Sequence, residues 1–159
     1  MLQMTLIVVG TLKESYWRDA AAEYEKRLQG FCRLTVVQIR ESRLPDAPNE
    51  KEIGAALETE GKQILENLPP RSYRVALCVE GKPLSSPALA EKLAGIGRTH
   101  GSVAWVIGSS YGLSETVKRA CDFCLSVSEL TFPHQMMRVL LLETLYRSLS
   151  ILQGGKYHK

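Results

Sequence analysis

Residues 73–108 read YRVALCVEGKPLSSPALAEKLAGIGRTHGSVAWVIG, two apolar runs on either side of one amphipathic segment. The run at 73–82 predicts a buried strand that ends at Gly81. At 85–101, a serine at the cap and a proline in the first turn predict a helix. The run at 102–112 predicts a strong strand that continues into a loop of glycine and serine. A strand, a helix and a strand in this order indicate parallel pairing with a crossover helix.

The same alternation extends over the rest of the chain. The patterns predict further strands at residues 4–10, 32–40 and 123–132, the last merging into a loop, and helices at 14–30, 49–68, 113–122 and 134–152. The segment at 41–50 contains two prolines and predicts a loop, the most flexible part of the chain. We therefore expect one domain, residues 1–159, with an α/β fold and a largely parallel sheet flanked by helices.

Composition and charge are those of an ordinary globular chain. The 159 residues are 45% hydrophobic and 23% charged, which argues against global disorder. No apolar run reaches the roughly 20 residues that cross a bilayer, and no secretory signal is recognisable, so we expect a cytoplasmic protein. The net charge is +3, and the whole excess lies in residues 130–159, which hold four bases against one acid. An anionic ligand near the C-terminus and a solvated basic tail both account for this asymmetry.

Cys121 and Cys124 have the C-x-x-C spacing of redox and zinc sites. No second pair and no spaced histidines accompany them, so a zinc ion would lack recognisable further ligands. A thioredoxin-like motif follows a strand and opens a helix, whereas this one closes a helical segment and enters a strand. We expect that no metal binds here and that the cysteines are structural, in a reducing cytosol. An oxidoreductase that uses these thiols is an alternative.

Ligands of parallel α/β sheets bind beyond the carboxyl ends of the strands. Three predicted loops qualify, at residues 79–83, 108–112 and 126–132. The loop at Gly108 is similar to a nucleotide-binding loop because glycine allows close backbone approach and a helix follows, but it carries no phosphate-binding fingerprint. Glu80 in the first loop could accept a hydrogen bond from a ribose hydroxyl, although a solvated acid is the more common case.

The segment TFPHQMMRVLLLETLYRSLS, residues 131–150, predicts a helix that is apolar almost all round in its middle turns. Such a helix must be covered on more than one face; we expect the sheet to cover one face and a second copy of the chain another. Glu143 and Arg147 are spaced to pair. His134 and Arg138 lie one turn apart near its start, where they are either packing residues or, in the case of the arginine, a clamp for phosphate or carboxylate.

Several stretches together resemble the small SPOUT-superfamily methyltransferases of the RlmH type, and the likeness covers the full length. The most specific are VVGTLKESYW at 8–17, YEKRL at 24–28, TFPHQMMRV at 131–139 and the terminal YHK at 157–159. The resemblance implies an α/β fold with a deep C-terminal trefoil knot, a homodimer through the C-terminal helix, and S-adenosylmethionine as cofactor. It also implies methylation of N3 of a pseudouridine in a 23S rRNA stem-loop on assembled ribosomes. A non-catalytic ribosome- or RNA-binding protein of the same fold is the alternative.

The resemblance also carries site residues over by position. It assigns cofactor contacts, many of them through backbone atoms, to Leu77, Gly108, Val127, Ser128, Glu129, Leu130, Thr131 and Phe132. It places four polar or basic groups near the reacting centre, His134, Arg138, Tyr157 and His158, the last two in a tail that acts in cis or from the other subunit. Ser109 departs from the family pattern, which has a second glycine there; a positive φ at that serine would cost about 1 kcal/mol.

Overall fold

The computed structural model describes residues 1–159 and contains ten alternating elements. The strands are β1 (Leu2–Val9), β2 (Cys32–Ile39), β3 (Tyr73–Pro83), β4 (Ser102–Ile107) and β5 (Phe123–Ser126). The helices are α1 (Ser15–Leu28), α2 (Glu50–Asn67), α3 (Ser86–Thr99), α4 (Glu115–Ala120) and α5 (His134–Leu152). Every strand and helix that the sequence predicts is present. The main difference is at β4 and β5, which end earlier because their last predicted residues belong to loops.

All five strands run parallel in one sheet of order β2-β1-β4-β3-β5, which confirms the predicted fold class. Successive side chains of β4 point to opposite faces of this sheet. Val103, Trp105 and Ile107 join the core beneath α1, α3 and α5, whereas Ala104 and Val106 join the core beneath α2 and α4. Because β4 is buried on both faces, its sequence is a continuous apolar run without the alternation of a half-exposed strand.

Helix α5 is covered within the single chain on more sides than the sequence predicts. It packs against the sheet and against both α1 and α3, and Leu141, Leu142 and Leu145 have no exposed surface. The sheet was the only part of the same chain expected to cover it, and this was wrong, because α1 and α3 on the same face of the sheet also flank it. The Glu143–Arg147 pair is confirmed, with Nη2 at 2.6 Å from Oε1. Neither α5 nor any other helix is both long and apolar enough to cross a membrane.

Strand β3 carries an irregularity close to the carboxyl edge of the sheet. Leu125 of β5 pairs first with Leu77 and then with Lys82, so residues 78–81 form a bulge. The sequence pattern treated Gly81 as the turn that ends the strand. Instead a Cβ added to this glycine would lie 2.7 Å from the Cys124 carbonyl oxygen. Gly81 therefore allows the bulge to press against the β5 backbone.

We expect Gly81→Ala to lower the free energy of unfolding by about 1–3 kcal/mol, because the methyl group collides with backbone that has no rotamer to change. The matched control is Gly97→Ala in α3, where an added Cβ meets nothing within 4 Å. That change should raise stability by about 0.5–1 kcal/mol, since glycine is a poor helix former. Urea unfolding of both variants measures the difference, and equal effects would contradict the close approach at Gly81.

Candidate active site

The three loops predicted from the sequence meet around one cavity of about 770 Å³ at the carboxyl ends of β3, β4 and β5. The first wall is the β3 bulge, the second is the loop from Gly108 to Leu113, and the third is the segment between β5 and α5. Apolar side chains such as Leu77, Leu125 and Phe132 line the interior. A cavity of this size lies within the usual range of small-molecule sites, about 300–1,000 Å³.

The loop after β4 is shaped by two glycines for different reasons. A Cβ at Gly108 would collide with the Gly112 carbonyl group, so only glycine lets the loop close on itself. Gly112 has φ +87, a left-handed conformation that favours glycine. Its N–H donates to the Ser109 carbonyl oxygen at 2.9 Å. The sequence identified this loop, and the structure gives the reason for each glycine.

Ser109 causes no backbone strain, although it stands where the family pattern has glycine. Arg71 is the only residue other than glycine with a positive φ, so the cost that a left-handed serine would carry does not arise. The Ser109 hydroxyl accepts from the Tyr111 N–H at 3.3 Å within the loop. The same side chain lies close enough to the Glu60 carboxyl group of α2 to oppose the rise of its pKa.

Glu60 is a buried carboxyl group that was not among the residues expected at the site. Only 3% of it is exposed, and it accepts from the Ser42 N–H at 2.9 Å. Burial raises its pKa, and the neighbouring charge of Glu41 adds to the rise. No local pattern marks Glu60, because its hydrogen-bond partner lies 18 residues away in the segment after β2. Glu60 joins that segment to α2 and lies close to Ser109 of the cavity loop.

The residues assigned to cofactor contact line this cavity with one exception. Those in its wall are Leu77, Gly108, Val127, Ser128, Leu130, Thr131 and Phe132. Glu129 is exposed and lies outside the wall. A local turn shapes this segment, since the Ser126 hydroxyl donates to the Ser128 carbonyl and the Leu130 N–H donates to the Ser128 hydroxyl, each at 3.0 Å.

His134 is the first residue of α5 and lines the cavity. Its Nδ1 lies 3.3 Å from the Ser110 hydroxyl. Its Nε2 points toward Gly10, where an added Cβ would lie 3.6 Å from Nε2 and 3.3 Å from the Glu41 carboxylate. The imidazole therefore lies between the cavity loop and the turn after β1, with a carboxylate nearby.

Arg138 follows one turn later but does not line the large cavity. Arg138 is 7% exposed and borders a small cavity of about 10 Å³ beneath the turn after β1. Nη2 lies 3.7 Å from the Glu25 carboxylate, while Nε and Nη1 have no partner. Burial lowers its pKa from the usual value. Arg138 thus combines a loose ion pair with two free buried donors.

Tyr157 and His158 lie beside the second half of α5, away from His134. The Tyr157 hydroxyl donates to the Glu143 carboxylate at 3.2 Å, and His158 Nδ1 lies 3.5 Å from Arg147 Nη1. Hydrogen bonding with Tyr24, followed by burial, raises the pKa of Tyr157 to about 12. Glu143 is about 13 Å along the helix axis from His134. A single chain does not bring the tail and His134 together.

Comparison with known proteins agrees with this geometry. The family model described as "Predicted SPOUT methyltransferase" matches residues 2–158. The chain belongs to the SPOUT methyltransferase family. It is also similar to a solved structure, the crystal structure of a probable methyltransferase from Bordetella pertussis Tohama I, with a TM-score of 0.58 and 20% identity. That match covers 92% of this chain and 95% of the other, and at this identity it shows a shared fold.

Two further charged residues line the cavity of this SPOUT methyltransferase. Glu80 lies on the β3 bulge and Lys118 on α4, and Nζ is 2.5 Å from the Glu80 carboxylate. Lys118 also lies 3.5 Å from Glu115. Glu80 was a candidate ligand contact from its place in the sequence, whereas nothing in the sequence around Lys118 indicates a role at the site. The pair joins residues 38 apart in sequence, so no local spacing signals it.

The C-x-x-C cysteines of this SPOUT methyltransferase lie where the sequence predicts, Cys121 at the end of α4 and Cys124 in β5. Neither lines the cavity, although Cys78 does. Burial raises the pKa of Cys121 to about 11 and that of Cys78 to about 12. Thiols with such pKa values hold little thiolate at neutral pH and are poor nucleophiles. No group of three or more His, Cys, Asp or Glu side chains is arranged to hold a metal ion.

We expect the contribution of Glu60 to the free energy of unfolding to fall as pH rises from about 4.5 through its raised pKa. The folded state binds this proton more tightly than the unfolded chain, whose value is near 4.5, so ionisation opposes folding. Glu60→Gln removes the contribution and should become more stable relative to the wild type as pH rises. Urea unfolding from about pH 4 to pH 8 measures it, with Glu66→Gln on the exposed face of α2 as control. A constant difference across this range would contradict the prediction.

Proposed function

We propose that this chain transfers a methyl group from S-adenosylmethionine to N3 of a pseudouridine in a 23S rRNA stem-loop, on assembled ribosomes in the cytoplasm. The observation that carries the proposal is the cavity at the carboxyl ends of the strands, with His134 at its wall, in a member of the SPOUT methyltransferase family. The resemblance of TFPHQMMRV and the terminal YHK to the RlmH type supports the rRNA substrate. We also propose that the C-terminal part of the chain forms the trefoil knot that this resemblance implies.

The chemistry of the cavity suits S-adenosylmethionine. Apolar side chains such as Leu77, Leu125 and Val127 offer surfaces for the adenine ring, and Ser128 and Thr131 add polar groups beside them. The volume of about 770 Å³ is of the size used by small-molecule ligands. When bound, the cofactor supplies an electrophilic methyl group on a sulfonium. The loops must align that group with the attacking nitrogen and exclude water.

His134 and Arg138 are proposed to serve the target base. N3 of a uracil-type ring is a weak imide acid, so removal of its proton or stabilisation of the resulting anion promotes methyl transfer. His134 lies at the cavity wall and can hold the base or accept the proton. Arg138 has two unpaired donors one turn deeper, and a small movement of the turn at Gly10 would open them to the substrate.

The proposed assembly is a homodimer through α5. Met136, Val139 and Leu140 of this helix are only half-buried in the single chain and are among its apolar residues that a partner could cover. Since one chain keeps Tyr157 and His158 away from His134, the tail would reach the cavity of the other subunit in such a dimer. The modest charge of +3 favours recognition of ribosome shape over simple attraction to RNA.

We expect 23S rRNA from a deletion strain to lack one methyl group on one pseudouridine, and the wild-type gene to restore it. Mass spectrometry of nuclease fragments measures the change. An unchanged methylation pattern would contradict the proposed reaction. Calorimetry then distinguishes the non-catalytic alternative, in which ribosomes bind but S-adenosylmethionine does not.

We expect Arg138→Met to keep the free energy of unfolding within about 1 kcal/mol of the wild type. Glu25 keeps water contact, and methionine fills a similar buried volume without unpaired donors. The same variant should lower kcat on ribosomes by about 100-fold, the usual effect of removing a donor to developing charge. Urea unfolding and single-turnover methylation measure the two effects. Loss of stability with unchanged kcat would mean that Arg138 is structural.

A further inference from the structure

Glu80 occupies an unusual position for a surface carboxylate. The bulge of β3 carries it to the cavity wall, and its side chain remains 63% exposed there. Lys118 holds it from α4, with Nζ at 2.5 Å from Oε1, and this lysine side chain is itself only 22% exposed. The pair therefore fixes a carboxylate in the wall of the cavity while leaving acceptor positions free for a ligand.

The charge of Lys118 limits which ligand groups can bind there. A cationic group approaching Glu80 would also approach the Lys118 ammonium, and this repulsion offsets the attraction of the carboxylate. Neutral hydroxyl groups do not meet this penalty, because they donate to the carboxylate as dipoles. A carboxylate can accept from two neighbouring hydroxyls at once. The pair is thus suited to a vicinal diol and poorly suited to an ammonium or a sulfonium.

The position of the pair agrees with this chemistry. Lys118 belongs to α4, whereas His134 belongs to α5, and these helices pack on opposite faces of the sheet. A ligand that spans the cavity can therefore place its sugar near Glu80 and its reactive end near His134. The cationic part of the ligand then lies away from Lys118.

We propose that Glu80 is a specificity-determining residue that accepts hydrogen bonds from the two ribose hydroxyls of the cofactor, and that Lys118 is its positioning residue. The inference rests on the proposed function for the identity of the ligand. With this residue, the protein would bind a cofactor that carries ribose more tightly than one whose sugar lacks the two hydroxyls.

Calorimetry with S-adenosylhomocysteine and its 2′,3′-dideoxy analogue tests the proposal. We expect Glu80→Ala to weaken S-adenosylhomocysteine binding about tenfold and binding of the analogue by less than about twofold, because a charge-assisted hydrogen bond is lost only with the diol. Lys118→Met should weaken S-adenosylhomocysteine binding about threefold, since Glu80 is then less well held. Glu115→Ala is the matched control, because Glu115 also lies beside Lys118 but outside the cavity wall, and it should leave both affinities unchanged.

Equal losses for the two compounds in Glu80→Ala, or no loss for either, would overturn the assignment of Glu80 while leaving the proposed function intact. An unchanged affinity in Lys118→Met would overturn the positioning role alone. If the wild-type protein binds neither compound, both this inference and the proposed function fail. Urea unfolding checks that each variant is folded. We expect Glu80→Ala to fold, because the Glu80 side chain is mostly exposed.

Discussion

The close contact between the Gly108 backbone and the Gly112 carbonyl group determines the shape of the cavity. Because no side chain separates these two points, the loop after β4 folds tightly and leaves space beyond the carboxyl ends of the strands. A second close approach, between Gly81 and the β5 backbone, brings the β3 bulge to the opposite wall. The site therefore depends on two places where the main chain needs glycine. The side chains around these two glycines determine which chemical groups line the cavity.

Ser109 gives the same loop a further contact. This serine stands where the resemblance places a glycine, and because its φ is not positive it carries no backbone strain. Its hydroxyl accepts from the Tyr111 N–H, and the side chain lies close to the buried carboxyl group of Glu60. Glu60 in turn holds the backbone of Ser42 in the segment after β2. Two loops at the edge of the sheet therefore come together around one buried carboxyl group.

The strands, the helices and the cavity loops could be predicted from the sequence. Most of the ion pairs could not. Buried parallel strands are continuous apolar runs, and loops after such strands converge by topology, so the loop at Gly108 could be placed in advance. His134 was placed near the reacting centre only by the resemblance, because its spacing alone allowed a packing residue as well. The partnership of Glu80 with Lys118 depends on how a bulge and a helix meet in space, which residue spacing does not contain. Arg138 shows the same limit. Its spacing from His134 gave the helix face but not the separate cavity into which it points.

The place of α5 in the core has a consequence for the synthesis of the chain. This last helix lies against α1, α3 and the sheet, and its Leu141, Leu142 and Leu145 are fully buried. Until α5 has been made, the face of the sheet that carries Trp105 can be covered only by α1 and α3. Domains often begin to fold while their C-terminal part is still being made. Here the larger core closes only with α5, so its native packing forms after residues 1–152 have left the ribosome.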